Sequence, residues 1–409
     1  MKNKTFLIIG LVWPEPKSSA AGTRMLQLIK LFQKQDYEIV FASAAQESDF
    51  SFDLKSIGVI TQQIILNSTT FDGFIKELNP EIALFDRFVI EEQFGWRVYE
   101  NCPTALRILD TEDLHSLRLT RQNAIKKNIE FQFSDLLTSD IAKREIASIL
   151  RCDLSLIISE IEIKILVDIF KIDSNLLYYL PLFFDLKEEN KPIDFHQKKD
   201  FVFIGNFLHE PNWDAVKQLK EKIWPQIRKE LPEVMMHIYG AYPSQKVLQL
   251  HNSSENFIIH GRANSAEDVI KSARVLLAPI RFGAGLKGKL LEAMQLGTPT
   301  ITTSIGAEGI NANCYWNGFI TDDFEEFASK AVLLYKDETL WDKSQKNGFE
   351  ILENRFKKDL FEKLFTDKID FLQSNIENHR KLNFIGSLLL HHTALSTKYM
   401  SRWIEEKNK

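Results

Sequence analysis

The apolar residues of this chain come in short unbroken runs, and that pattern limits the fold more than any other feature. The runs beginning at Phe6, Ile82 and Leu106 do not alternate apolar with polar residues. A strand of continuous Ile, Leu and Val needs cover on both faces, and helices supply it in a parallel sheet. Amphipathic stretches lie between the runs. Met25, Leu28, Ile29 and Phe32 share one face of a helix predicted over 24–32. Strands are predicted at 4–9, 37–42, 82–85, 106–110 and 154–159, each followed by a helical pattern. This rhythm is that of a doubly wound α/β sheet.

The rhythm then restarts. Residues 187–199 carry many charges and one proline, and read as a linker. Strands follow at 201–205, 235–240, 257–261, 275–280, 300–303 and 319–321. Two Rossmann-like domains in tandem are expected, at 1–187 and 188–360. A helical segment at 361–409 is expected to return to the first domain. In that segment Ile385, Leu388, Leu389, His392, Leu395, Tyr399 and Trp403 fall at helical spacing. The expectation is a terminal helix packed on the body by this stripe. The alternative is an amphipathic helix on a membrane surface. Neighbouring His391 and His392 point to different faces and read as structural.

Composition narrows the function. With 51 Lys+Arg against 56 Asp+Glu, the chain offers no broad basic surface for nucleic acid. Its three cysteines, Cys102, Cys152 and Cys314, form no CxxC pair, and all three are expected to be buried. A reducing cytoplasm is expected, with peripheral contact at the inner face of the membrane left open. No apolar run is long enough to span a bilayer. Lys2, Lys4 and the run from Phe6 to Trp13 superficially resemble a secretory signal, but the segment continues as a βα unit and is read as a first strand.

The segment 278–303 carries the chemistry. It reads as a buried strand, a loop with Gly283 and Gly285, a helix over 286–296, and a stop at Gly297 and Pro299. A helix N-terminus after a glycine loop offers free N–H groups and partial positive charge to an anion. Lys287 and Lys289 add full cations there, against the helix dipole, and a phosphate ligand accounts for them. Glu292 offers two acceptor oxygens suited to paired hydroxyls. The plain alternative for Lys289 and Glu292 is a surface ion pair of well under ~1 kcal/mol.

The ordered string GAGLKGKLLEAMQLGTPTITTSIGAEGI, residues 283–310, resembles the donor-site motif of the group 1 glycosyltransferases of glycosyltransferase family 4. The resemblance implies a GT-B fold, with two Rossmann-like domains facing a cleft. It also implies a retaining mechanism and a nucleotide-sugar donor held by the C-terminal lobe. It puts the diphosphate at Gly283, Ala284, Gly285, Leu286, Lys287 and Lys289, and the ribose at Glu292. Gly306, Glu308 and Gly309 would flank the sugar pocket. Three positions depart from the common pattern. Ala284 stands where many members have a second Glu, Asn206 where they have an Arg after Gly205, and Asn212 where they have a Lys. Arg281, Lys287 and Lys289 would then supply the neutralisation, with Arg262 a further donor contact.

On the N-terminal side, the resemblance sets the loop before Arg24 between donor and acceptor, with Gly22 its best single residue. Asp110, Glu112, Asp113, His115 and Arg118 crowd the end of a predicted strand, where ligands bind in open α/β sheets. Asp110 and His115 are the catalytic candidates; a helix cap at Asp110 or Thr111 is the structural alternative. Ser159-Glu160 is a second candidate pair. Lysines and helix termini would neutralise the leaving diphosphate, so neither a metal site nor a resident cofactor is expected, and Asp322-Asp323, which precedes a helix, reads as a cap. The reading is a glycosyltransferase for polysaccharide or glycoconjugate synthesis, acting on a glycan, lipid-linked or small-molecule acceptor. The alternatives are a GT-B nucleotide-sugar epimerase and a non-catalytic nucleotide-sugar-binding protein.

Overall fold

The computed structural model describes residues 4–186 and 193–408. Residues 187–192 of the segment read as a linker lie outside the described residues, as does the division at 187/188. Two all-parallel sheets account for the apolar runs. The N-terminal sheet comprises β1 (Lys4–Gly10), β2 (Tyr37–Ser43), β3 (Ile60–Gln63), β4 (Ile82–Asp86), β5 (Leu106–Asp110), β6 (Leu154–Ile157) and β7 (Leu177–Tyr179). Its order is β3-β2-β1-β4-β5-β6-β7. The C-terminal sheet comprises β8 (Lys199–Ile204), β9 (Met236–Tyr239), β10 (Phe257–Gly261), β11 (Ala273–Ala278), β12 (Thr300–Thr302) and β13 (Gly318–Ile320), in the order β10-β9-β8-β11-β12-β13.

The edge strands β3 and β7 were not expected. β3 is four residues, mostly exposed, and reads Ile-Thr-Gln-Gln, so its sequence carries no apolar run. The central strands are buried on both faces. In β4 all five residues are buried, and Leu84 pairs with Ile8 on one side and Ile108 on the other. Separate apolar clusters cover the two faces of the N-terminal sheet, as a doubly wound layer requires.

The N-terminal lobe carries α1 (Ala20–Gln33), α2 (Thr70–Leu78), α3 (Phe88–Asn101), α4 (His115–Lys127), α5 (Asp140–Arg151) and α6 (Glu160–Asp168), and the C-terminal lobe carries α7 (Glu210–Gln218) and α8 (Gly288–Gln295); α1, α4, α7 and α8 contribute residues to the cleft. The C-terminal segment forms α9 (Glu362–Ser374), α10 (Ile376–Leu382) and α11 (Phe384–Lys407). It does return to the N-terminal lobe. Phe365, Ile369 and Leu372 of α9 join that lobe's core, with Phe365 edge-on to Phe32 at 5.8 Å. The stripe on α11 is split, with Leu389 and Leu395 half-buried and the rest turned outward. Ile385, Leu388, Tyr399 and Trp403 face solvent, while Gly386, Leu390 and Ser401 are buried. Cys102 and Cys152 are buried as expected; Cys314 is only half-buried.

The two stretches that connect the lobes run side by side. The Phe184 N–H donates to Phe356 O at 2.7 Å, and the Lys358 N–H donates to Phe184 O at 3.0 Å.

Candidate functional site

Each sheet reverses its strand order once, between β1 and β4 and between β8 and β11. Loops leaving such a switch point diverge and open a crevice at the carboxyl ends of the strands. Here the two crevices face each other and form one cleft of about 270 Å³.

The C-terminal wall is built from β8, β11 and α8. α8 starts at Gly288, two residues later than expected, because Gly283 (φ 159°) and Gly285 (φ 61°) hold the loop out of helical geometry. Lys287 is therefore the N-cap, and the helix opens without a side-chain cap. Across the cleft α1 also opens toward this point. A Cβ on Gly288 would lie 2.7 Å from Ala20 Cβ, so two positive helix ends meet. An anion between them relieves that repulsion.

Both lysines are half-buried in the cleft wall. Burial pulls Lys287 down to about 8 and Lys289 to about 7. Lys287 Nζ donates to Gly285 O at 2.9 Å, and Lys289 Nζ to Asn212 Oδ1 at 2.6 Å. Asn212 in turn donates to Asn206 O at 2.7 Å. The two asparagines that depart from the common pattern thus hold Lys289. A Cβ on Gly205 would stand 2.7 Å from Lys289 Nζ, so a side chain there would push the amine and Asn212 out of place. Glu292 lines the cleft, and burial raises its carboxyl. The geometry is not that of a surface ion pair.

Ala284 lines the cleft and packs against the apolar core of the N-terminal lobe, so it is an inter-lobe contact. Leu286 and Arg262 also line the cleft. The Arg262 guanidinium stacks 4.0 Å from the Phe50 ring, again across the lobes. Arg281 is placed elsewhere. It makes a two-pronged ion pair with Asp214 of α7 at 2.5 and 2.8 Å and does not line the cleft. Its role there is to fix the helix that carries Asn212. Gly22 is likewise displaced from its expected role. A Cβ on it would meet Glu15 C at 2.4 Å, so it lets the first loop cross its own helix.

On the N-terminal wall the catalytic candidates separate. His115 lines the cleft at the start of α4, with Nε2 3.3 Å from Asp113 Oδ1, and burial pulls its imidazole down to about 4. Asp110 is fully buried behind the wall. Arg24 Nε lies 2.9 and 3.0 Å from its two oxygens, and Nη1 donates to Leu180 O at 2.6 Å. Asp110 is thus an ion-pair partner, and no helix begins at it or at Thr111. Its place at the cleft is taken by Glu112. Burial, with Asp110 behind it, pushes that carboxyl up to about 8, and its backbone is left-handed at φ 63°. Ser159-Glu160 precedes and opens α6, with no side-chain cap bond from Ser159. Glu160 accepts from Arg355 at 2.7 Å.

Sequence reasoning missed Arg87 and His209, which also line the cleft. Arg87 follows the last residue of β4, and a charged residue directly after a buried strand was the available signal.

Carboxylates and guanidinia lock the lobes together. Arg121 of α4 donates to Gly283 O at 2.8 Å and to both oxygens of Glu308 at 2.7 and 2.8 Å. Burial would raise Glu308, but these bonds hold it below its ordinary value. Glu162 Oε1 accepts from the N–H of Leu114 at 3.0 Å and of Gly285 at 2.8 Å. Burial, then nearby Asp113, pushes Glu162 up to about 8. Gly309 allows close packing; a Cβ there would be 2.9 Å from Ser159 Oγ. Gly306 is tighter still, against Thr302 Oγ1 of its own lobe. Asp323 caps its helix by accepting from Glu326 N at 2.8 Å, and Asp322 accepts from Ser304 N at 2.9 Å.

Comparison with known proteins gives a family match and fold neighbours. The family model described as "Glycosyl transferases group 1" matches residues 198–337, the lobe that holds the glycine loop and both lysines. A curated relative is an uncharacterized 44.6 kDa protein in the cps region of Klebsiella pneumoniae, 24% identical over 174 residues. That alignment covers 41% of this chain and 45% of the relative's length. Sucrose-phosphate synthase from Thermosynechococcus elongatus superposes with a TM-score of 0.65 at 13% identity, over 91% of this chain and 99% of that one. HepE from Anabaena, in complex with UDP and glucose, superposes with a TM-score of 0.67 at 12% identity, over 90% and 100%. The chain has the GT-B fold, and its residues 198–337 match the group 1 glycosyltransferase family model.

Proposed function

We propose that the chain is a retaining glycosyltransferase of glycosyltransferase family 4, moving a sugar from a nucleotide-sugar to an acceptor hydroxyl. One observation carries this reading. Lys287, Lys289 and Glu292 stand half-buried side by side at an uncapped helix start, and of the two carboxylates of this lobe that face the amines, Glu308 already has both oxygens on Arg121 and Glu292 is pushed toward its neutral form by burial. A diphosphate supplies the missing negative charge. Glu292 then meets the ribose hydroxyls, and the sugar lies toward His115 and Glu112 on the opposite wall.

In this scheme the two lysines and the opposed helix ends stabilise charge as the diphosphate leaves. The chain's own cations do this, and neither a metal nor a resident cofactor is needed. The acceptor enters along the N-terminal wall. HepE, crystallised with UDP and glucose, supports a nucleotide-sugar donor, and the relative in a cps region supports a role in polysaccharide or glycoconjugate synthesis.

The test is a thermal-shift panel of UDP-, GDP-, ADP- and TDP-sugars, followed by product analysis with the donor that binds. Release of free nucleotide, lost in Lys289→Ala, is expected. An isomerised donor instead points to an epimerase. Binding without turnover on any acceptor points to a binding protein, and no shift with any sugar nucleotide removes the reading.

A further inference from the structure

α11 is held to the N-terminal lobe by its small and polar side. A Cβ on Gly386 would sit 2.0 Å from Leu150 O at the end of α5. Arg97 of α3 donates to Ser401 Oγ at 3.0 Å, and Glu405 accepts from the Thr69 N–H at 2.9 Å beside α2. The other side carries Phe384, Ile385, Leu388, Tyr399, Met400 and Trp403, each 43–69% exposed. At 1.5 Å per residue this stripe runs about 28 Å along the helix. An apolar face of that length left in water marks an interaction surface.

We propose that this face docks onto an anionic lipid bilayer, with α11 lying in the plane of the headgroups. The shape and charge of the stripe argue for that occupant. It is a convex cylinder, not a groove. Trp403 and Tyr399 are the aromatic types that settle at a membrane–water interface. Lys381 and Arg402 are exposed at its borders, and Lys407 lies 5.2 Å over the Trp403 ring. Long cationic side chains beside an apolar face reach headgroup phosphates while their stems stay in the apolar layer. Glu405 is turned to the body by Thr69 and Glu100 is paired with Lys398, while Glu406, the exposed carboxylate near the end of α11, is outnumbered along the helix by Arg402, Lys407 and Lys398. A second copy would present the same cations to these cations. The last turns of α11 lie at the start of α2, a helix that leaves the carboxyl edge of the sheet. Docking therefore sets the cleft side of the N-terminal lobe close to the lipid.

The test is co-sedimentation of the full chain with vesicles of phosphatidylglycerol and phosphatidylethanolamine, and with vesicles of phosphatidylcholine alone. The wild-type chain is expected to partition onto the anionic vesicles at least tenfold better than onto the neutral ones. Leu388→Glu with Trp403→Glu should abolish this, and Arg402→Glu should weaken it, with melting temperature unchanged. Phe384→Ser serves as a second, milder variant should the double one fail to fold. No partition of the wild-type chain, or unchanged partition of the folded variants, overturns the proposal. A concentration-dependent dimer that Trp403→Glu dissociates, without vesicle binding, overturns it in favour of a second copy.

Discussion

Lys289 Nζ donates to Asn212 Oδ1 at 2.6 Å, and that bond aims an amine of the C-terminal lobe at the cleft. Asn212 is neutral, so it orients Lys289 without cancelling its charge. Asn212→Asp should change that, since a carboxylate 2.6 Å from the amine competes with the donor's phosphates. Calorimetry with the donor that binds is expected to show roughly tenfold weaker affinity in Asn212→Asp, equivalent to ~1.4 kcal/mol. Asn212→Ala should lose less.

Donor binding should weaken with rising pH. Burial leaves Lys289 near 7 and Lys287 near 8 in the free cleft, so both lose their protons just above neutrality. A bound diphosphate raises both values, so binding takes up protons in that window. Affinity should fall by roughly tenfold from about pH 6.5 to about pH 9. Calorimetry at about pH 8 in two buffers of different ionisation enthalpy should show net proton uptake. An affinity that is flat across this range contradicts the assignment of the lysines.

Asp110 and His115 should respond oppositely to substitution. Asp110→Ala strands the buried Arg24 guanidinium, and breaking one partner of such a pair costs about 3–5 kcal/mol. A large fall in melting temperature is expected before any effect on transfer is measurable. His115→Ala sits at the cleft and should leave the melting temperature nearly unchanged, while sugar transfer falls.

Glu162 ties a pH dependence to the lobe contact. Its carboxyl stays protonated in the folded chain up to about 8, whereas in the unfolded chain it ionises at its ordinary value of 4.5. The folded state thus holds the extra proton, and the stability this contributes is full at low pH and lost as pH rises from about 4.5 to about 8. Glu162→Gln keeps an acceptor oxygen for the Leu114 and Gly285 amides and cannot ionise. Its melting temperature should gain on the wild type as pH rises through that window.

Much of this was legible in the sequence because period and glycine placement are local signals. The unbroken runs identified the central strands within one or two residues at most ends, and the string at 283–310 identified the donor wall. What escaped was decided by tertiary partners. Nothing near Asp110 announces that Arg24, 86 residues away, will take both its oxygens. Arg281 reads as a free cation until Asp214 is placed beside it. The stripe on α11 is a helical period like any other. Which side packs was settled by Gly386 fitting against Leu150, and a small residue carries no such message in one dimension.

The place of α9 bears on how the molecule is made. Phe365, Ile369 and Leu372 complete the core that Phe6 and Phe32 begin. The ribosome must therefore release the second lobe before the first can close. Until those residues emerge, a nascent N-terminal sheet has α1 alone over part of this apolar face, and a chain cut near residue 360 should destabilise its first lobe more than its second.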